Sequence, residues 1–323
     1  MSVVLVTGAG GFVGSAVVRR LVGGARFWDG NPVEHVVALL RPGGSEQRLE
    51  ELPRDGTWSI AHVDVAERLS FRAVLEDARP RAVVHAALDA TIYNEDDERL
   101  VRDPLETLLQ ALGRVAGSRL LQVGSAWVLA SGDRLDESAP LAPLTPYARN
   151  KAREDSLLPV LAAEAGVAWL NLRLFNLFGR NEKQGRLLPK LVSSLARGES
   201  VELTHSEQIR DFNDVDVAAR VFADGLAAPE AACGAVYHVG SGRGTTVREF
   251  ALAVAEVVGG ADLIRLGASD TGDQDLASLV ADPTRAVRAL GWRPDLDLEG
   301  RVREAVDWWL TRTGHSATGR VKA

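Results

Sequence analysis

Tyr147 and Lys151 stand four residues apart in Tyr147-Ala148-Arg149-Asn150-Lys151, directly after Pro146. On a helix that spacing sets a phenol and an ammonium side by side on one face. A free phenol ionises at about pH 10, too high for ready exchange at neutral pH, and a neighbouring cation is expected to lower that value. The pair then suits general acid and base work on a carbonyl or alcohol oxygen. The lysine is informative because only 4 of the 37 basic side chains are lysines. Upstream, Leu121-Gln122-Val123-Gly124-Ser125 reads as a strand ending in a hydroxyl. Ser125 can hydrogen-bond the reacting oxygen, or it can serve as a strand-end cap.

A third group lies at the start of the chain, in Thr7-Gly8-Ala9-Gly10-Gly11-Phe12-Val13-Gly14. An apolar run precedes it and a helical pattern follows. Glycines there allow a tight turn and close backbone approach to a pyrophosphate, whose charge suits the helix N-terminus. NAD binders place a carboxylate near the end of the second strand, but here that strand ends Ala38-Leu39-Leu40-Arg41. The forked guanidinium of Arg41 fits the 2′-phosphate of NADP, unless it is one more surface arginine. NADP(H) is therefore the preferred cofactor, with NAD(H) as the other option.

These groups need a scaffold. Continuous apolar runs at Val3 to Val6, Val36 to Leu40, Ile60 to Val63, Ala82 to His85, Leu120 to Val123 and Val167 to Leu174 suit parallel strands covered on both faces. Between them, Ser15 to Val22, Phe71 to Asp77 and Glu98 to Val115 carry helical spacing, and a longer helix is predicted from Pro146 to about Ala165, closed by Gly166. The alternation predicts an α/β fold, a Rossmann doubly wound parallel sheet with a smaller, mostly helical C-terminal lobe. Residues 1–175 and 213–240 are assigned to the dinucleotide-binding domain, 176–212 and 241–312 to a substrate-binding lobe, and 313–323 to a flexible tail.

The spacing Gly8, Gly11, Gly14 resembles the Thr-Gly-x-x-Gly-x-x-Gly fingerprint of the short-chain dehydrogenase/reductase superfamily, and Ser125 with Tyr147 and Lys151 resembles its catalytic triad in the usual order. The likeness is to the extended branch, the nucleotide-sugar epimerases, dehydratases and ketoreductases. It continues through Arg173-Leu174-Phe175-Asn176-Leu177-Phe178-Gly179, Arg210-Asp211-Phe212, Asp282-Pro283-Thr284 and Leu290-Gly291-Trp292-Arg293-Pro294. The resemblance implies cofactor contacts along Gly8, Gly10, Gly11, Phe12, Val13 and Gly14 and at Arg41, Tyr147 and Lys151. It implies adenine contacts at Asp64-Val65, although Asp64 also reads as a helix cap, and a small turn beside the cofactor at Ala86-Ala87. Ser125, Asn176 and Arg210 would meet a sugar nucleotide, Arg210 on its diphosphate.

Three positions depart from the branch's pattern. Asp103 stands where an Asn often feeds a proton relay, Leu129 where a Tyr follows the serine, and Ala126-Trp127 where dehydratases carry an Asp-Glu pair. The reading favoured by the resemblance is NADP(H)-dependent reduction of a nucleotide-linked keto sugar, of the 4-keto-6-deoxyhexose type. A sugar-nucleotide epimerase with retained NAD is the alternative, and a non-catalytic dinucleotide sensor or scaffold is the alternative from another class.

Bulk properties agree with a folded enzyme acting on small molecules. The 323 residues are 46% hydrophobic and 25% charged, enough for a full core, and the net charge of −7 opposes binding to nucleic acid or an anionic membrane. No apolar run approaches the roughly 20 residues of a membrane span. One cysteine, Cys233, excludes an internal disulfide, and His205 and His238 have no partners spaced for a metal, so no metal is expected. The N-terminus has no signal-peptide pattern, which points to the cytoplasm. The acidic run Glu95-Asp96-Asp97-Glu98 reads as a solvated helix start, and Trp308-Trp309 as packing for the last helix. A homodimer through the helices around 98–116 and 146–165 is expected by family analogy.

Overall fold

The computed structural model describes residues 2–88, 90–267 and 276–312. The tail assigned to 313–323 lies outside the described residues. From the N-terminus the chain runs β1 (Val3–Thr7), α1 (Phe12–Val22), β2 (His35–Leu40), β3 (Trp58–His62), α2 (Arg68–Ala78), β4 (Ala82–His85), α3 (Arg99–Leu112), β5 (Arg119–Ser125), β6 (Gly132–Leu135), α4 (Pro146–Ala165) and β7 (Ala168–Leu174). It continues through β8 (Leu177–Phe178), α5 (Leu187–Ala196), β9 (Val201–Glu202), β10 (Ile209–Arg210), β11 (Asn213–Asp214), α6 (Val215–Ala227) and β12 (Ala235–Val239). The last stretch holds β13 (Thr245–Thr246), α7 (Val247–Val258), β14 (Ile264–Arg265), β15 (Ser278–Ala281), α8 (Thr284–Leu290) and α9 (Leu298–Arg312).

Seven parallel strands form the central layer in the order β12-β7-β5-β4-β1-β2-β3. Strand order reverses between β1 and β4, the switch point where doubly wound sheets bind ligands at the carboxyl ends of their strands. The interior strands are apolar on both sides because helices cover both faces. Helices α1 and α6 pack one face through Val17, Leu21, Val221 and Phe222, and α2, α3 and α4 pack the other through Phe71, Leu75, Leu108 and Leu158. Strand β3 begins two residues before its apolar run, since it is an edge strand, paired among the described residues only with β2, with Trp58 half-buried and Ser59 exposed. Helix α3 stops at Leu112, three residues short of the predicted end, where Gly113 caps it through bonds to Leu109 and Ala111.

Helix α4 is bounded by the signals in its sequence. Thr145 caps it by accepting a hydrogen bond from the Ala148 amide at 3.1 Å, Pro146 supplies a preset φ in the first turn, and Gly166 closes it in the left-handed region at φ 66°. After β7 the chain leaves the sheet, and β12 returns to pair with β7. The remaining helices α5, α7 and α9 share a separate apolar core that includes Leu191, Phe250, Val254 and Val306. The C-terminal part is less purely helical than expected. Strands β13, β10, β15 and β6 form a four-stranded sheet in which β10 and β13 are two residues long, too short to register as apolar runs, and β6 is the mostly polar Gly132-Asp133-Arg134-Leu135.

Candidate functional site

Tyr147 and Lys151 occupy successive turns of α4 directly over the carboxyl end of β5. The Lys151 ammonium is almost fully buried; it donates to the Val123 carbonyl at 3.0 Å and to Glu154 Oε2 at 2.6 Å. Ser125, the last residue of β5 and 4% exposed, sets its hydroxyl on the Tyr147 side of the strand end, where it favours the phenolate. It also caps the following turn, accepting from the Trp127 amide at 3.3 Å, so both readings of this serine hold together. A strand end and one helix face thus converge a phenol, a hydroxyl and an ammonium.

The charge balance corrects one expectation. The Tyr147 phenol lies above its ordinary value, not below it: burial penalises the phenolate more than Lys151 and Ser125 favour it, and Glu154 adds to the penalty. Tyr147 therefore rests as a neutral phenol, the form that donates a proton. Lys151 is held above its usual range; burial pulls it down, but Glu154 and Tyr147 together outweigh that. His85, at the end of β4, is pushed down to about 3 by burial and by the Lys151 charge and stays neutral.

The glycine turn fits a dinucleotide pyrophosphate. A Cβ on Gly14 would sit 2.2 Å from the Gly8 carbonyl oxygen, and one on Gly8, at φ +65°, would sit 2.7 Å from the Ala86 carbonyl. Only bare backbone allows loop, helix and the β4 turn to close together there. Gly11 caps α1 without a side-chain hydrogen bond among the described residues, so the leading amides of the helix are presented as donors. Thr7 fastens the switch point: its hydroxyl accepts from the Ala86 and Ala87 amides at 3.1 Å each and lies 2.8 Å from His85 Nδ1. Arg41 is exposed just beyond β2, in a turn closed by the Gly44 amide on the Arg41 carbonyl. Asp64 closes a tight turn ahead of α2, accepting from the Ala66 amide at 3.0 Å, with Val65 beside it; the N-cap of α2 is Glu67, so Asp64 is not the helix cap it also read as.

On the lobe side, Arg210 in β10 is 2% exposed, donates to the Ile209 carbonyl and lies 5.5 Å over the Trp127 ring, which couples it to the Ser125 turn. Asn176 follows β7, and its Oδ1 has no hydrogen-bond partner among the described residues although it is buried. These two polar groups line the same end of the sheet as the Tyr147 cluster.

Comparison with known proteins now decides the family. The sequence profile described as the NAD dependent epimerase/dehydratase family matches residues 4–240. The chain belongs to this family. A dTDP-glucose 4,6-dehydratase of an Actinoplanes strain is 29% identical over 320 residues, covering 95% of this chain and 97% of the relative. Among solved structures, the dTDP-glucose 4,6-dehydratase of Streptomyces venezuelae with NAD and TYD bound is similar at a TM-score of 0.85 and 26% identity, covering 97% of this chain and 98% of that one. The Thermus thermophilus UDP-glucose 4-epimerase in complex with NAD is similar at a TM-score of 0.79 and 26% identity, covering 95% and 98%. This member of the epimerase/dehydratase family is thus an enzyme of the extended short-chain dehydrogenase/reductase type.

Within the family fold, the structure adds residues that motif reading passed over. Tyr93 stacks on the Tyr147 ring at 5.1 Å and 6°, and its segment is pinned to α4 by Asn150, whose amide donates to the Ile92 and Glu95 carbonyls. Arg149 and Arg153 both donate to Asp96, so part of the acidic run fastens the segment to α4 besides starting α3. Arg48 bridges the Gly10 and Asn181 carbonyls at 3.0 and 2.8 Å, tying the glycine turn to the lobe. Tyr93, Asp96, Arg48 and Arg153 lie in no spaced motif, although Glu154 and Asn150 carried a signal: polar side chains one turn on from Lys151 and Tyr147 respectively, on the buried side of α4. Asp103 is exposed on α3, with its charge toward Arg99, and is not brought into the Tyr147 group. Trp309 packs in the lobe core and donates to the Gly179 carbonyl at 3.1 Å.

Proposed function

We propose that this family member reduces a nucleotide-linked keto sugar of the 4-keto-6-deoxyhexose type with NADP(H). The convergence of Ser125, Tyr147 and Lys151 over the end of β5 is the observation that carries the reading. With the dinucleotide held by its pyrophosphate at the glycine turn, its nicotinamide would supply the hydride. Ser125 would hold the carbonyl oxygen, Tyr147, resting as the neutral acid, would protonate it, and Lys151 would bind the nicotinamide ribose and steady the charge left on the phenol. Gly8, Gly10, Gly11, Phe12, Val13, Gly14, Asp64, Val65, Ala86 and Ala87 would line the cofactor, and Asn176 and Arg210 the sugar nucleotide. Residues 176–212 and 241–312 would form the substrate lobe, with homodimer contacts made through α3 and α4, which pack against each other.

The NADP preference rests on Arg41 at the end of β2, where Leu40 precedes it and no carboxylate stands. Reduction is favoured over dehydration by Ala126 and Trp127, which offer no carboxyl beside Ser125, while Glu154 is turned to Lys151. The specific observation in favour of the second reading, an epimerase with retained NAD, is that solved relatives of similar fold carry NAD. Titration with NADPH and NADH by nicotinamide fluorescence separates the two. The reductase reading expects tighter NADPH binding, with Arg41→Ala losing roughly tenfold of that preference, the worth of one guanidinium–phosphate contact. Tightly co-purifying NAD, indifferent to Arg41→Ala, contradicts it.

A further inference from the structure

Beneath the Tyr147 cluster the sheet carries a row of polar side chains across four adjacent strands. Thr7 pairs with His85, His85 with Gln122, and Gln122 with Asn171, all on the face covered by α4. Helix α4 meets this row with Lys151, Glu154 and Asp155 rather than with apolar groups. Glu154 is 3% exposed, and its Oε2 accepts both from Lys151 at 2.6 Å and from the Gln122 amide at 2.9 Å. Asp155 looks the other way, to Arg173 of β7 and the Asn171 amide, and Arg173 in turn lies 3.3 Å from His238 of β12. Glu154 is thus the carboxylate paired with Lys151, and Gln122 fixes its position.

Burying a carboxylate is costly, and apolar replacement of a buried ion pair is often neutral or better for stability, so stability alone does not account for it. Its geometry suggests a different use. We infer that Glu154, seated on Gln122, is a positioning residue that holds the Lys151 ammonium under Tyr147 and balances its charge, so that the phenol stays protonated until substrate is in place. The inference rests on the reading of Tyr147 and Lys151 as the acting pair. The charged and titratable groups facing Lys151 are Tyr147, Glu154 and Asp155 from α4 and His85 from β4, with the Val123 carbonyl the neutral contact from β5 and Gln122 reaching Glu154 alone; Tyr93 faces Tyr147 from the segment after β4. His85 remains neutral, and Glu154 is the acidic group in direct contact with the ammonium; burial lifts its carboxyl above the ordinary value, while the bonds from Lys151 and Gln122 pull toward the charged form.

The test needs neither cofactor nor substrate, so it can fail independently of the proposed activity. The chain has 3 tyrosines, and the difference in near-ultraviolet phenolate absorbance between the full-length protein and Tyr147→Phe isolates the ionisation of Tyr147. Glu154→Gln keeps the shape and removes the charge. The midpoint for Tyr147 is expected to fall by about one pH unit, because one of the groups opposing Lys151 at the phenol is then gone while burial still acts against the phenolate. Glu154→Asp should restore most of the shift. Gln122→Leu, which loosens the carboxylate and leaves it in place, should lower the midpoint by a smaller amount and provides the reading if Glu154→Gln does not fold. An unchanged or raised midpoint in a folded variant, judged by unaltered circular dichroism, overturns the inference.

Discussion

On the sheet face covered by α1 and α6, Val6, Val84 and Leu172 carry apolar packing to within a residue or two of the carboxyl edge. On the face under α2, α3 and α4, the floor of Leu5, Val83 and Leu120 gives way one pleat earlier to Thr7, His85, Gln122 and Asn171. The first face holds the fold. The second spends its last layer on seating Lys151 and on closing the glycine turn through Thr7. One sheet thus separates stability from chemistry by the alternation of side chains along each strand, since neighbouring residues point to opposite faces.

The largest effect expected from that difference is on stability. Glu154→Ala leaves the Lys151 charge buried without its carboxylate and should cost about 3–5 kcal/mol in chemical denaturation. Leu120→Ala, one pleat down in the apolar floor, should cost about 2–5 kcal/mol as a cavity while leaving the Tyr147 midpoint where it was. The double change Lys151→Met with Glu154→Leu sharpens the contrast: stability should return to within about 1 kcal/mol of the parent, or exceed it, because an apolar pair replaces a buried ion pair. A double variant as unstable as Glu154→Ala would show that the polar layer is structural.

A smaller effect appears in acid. His85 is pushed down to about 3 and His238 to about 4, each by burial above all. Both take up a proton more readily when the chain unfolds, so their contribution is present above the ordinary histidine value of about 6.5 and is lost as the pH falls toward the folded values. Each should steepen the acid limb of the stability curve by up to about 1.4 kcal/mol per pH unit, and His85→Asn should remove one such increment. An acid limb unchanged in slope would contradict a neutral, buried His85.

Much of the frame on both faces was legible in the sequence because it is written in continuous Val and Leu runs with glycine and proline punctuation: β1, α1 and α4 fall close to where those signals place them. The Tyr147, Lys151 and Ser125 group was equally legible, since its members sit in short, ordered motifs. What the sequence hid was pairwise and non-local. Gln122 meets Glu154 across 32 positions, and Arg48 meets Asn181 across 133, so no local pattern announces either. The sign of the Tyr147 shift was also hidden, because it depends on burial and on Glu154 opposing Lys151, neither of which spacing reveals. Strands β10 and β13 of the four-stranded sheet escaped for the simpler reason that two residues make no period.

The most direct test of the account follows nicotinamide absorbance while the purified enzyme meets NADPH and a nucleotide-linked 4-keto-6-deoxyhexose. Steady oxidation of NADPH, reduced at least about a hundredfold in a folded Tyr147→Phe variant that still binds the cofactor, is the predicted result. No net oxidation by the parent enzyme, or turnover that survives loss of the Tyr147 hydroxyl, would contradict it.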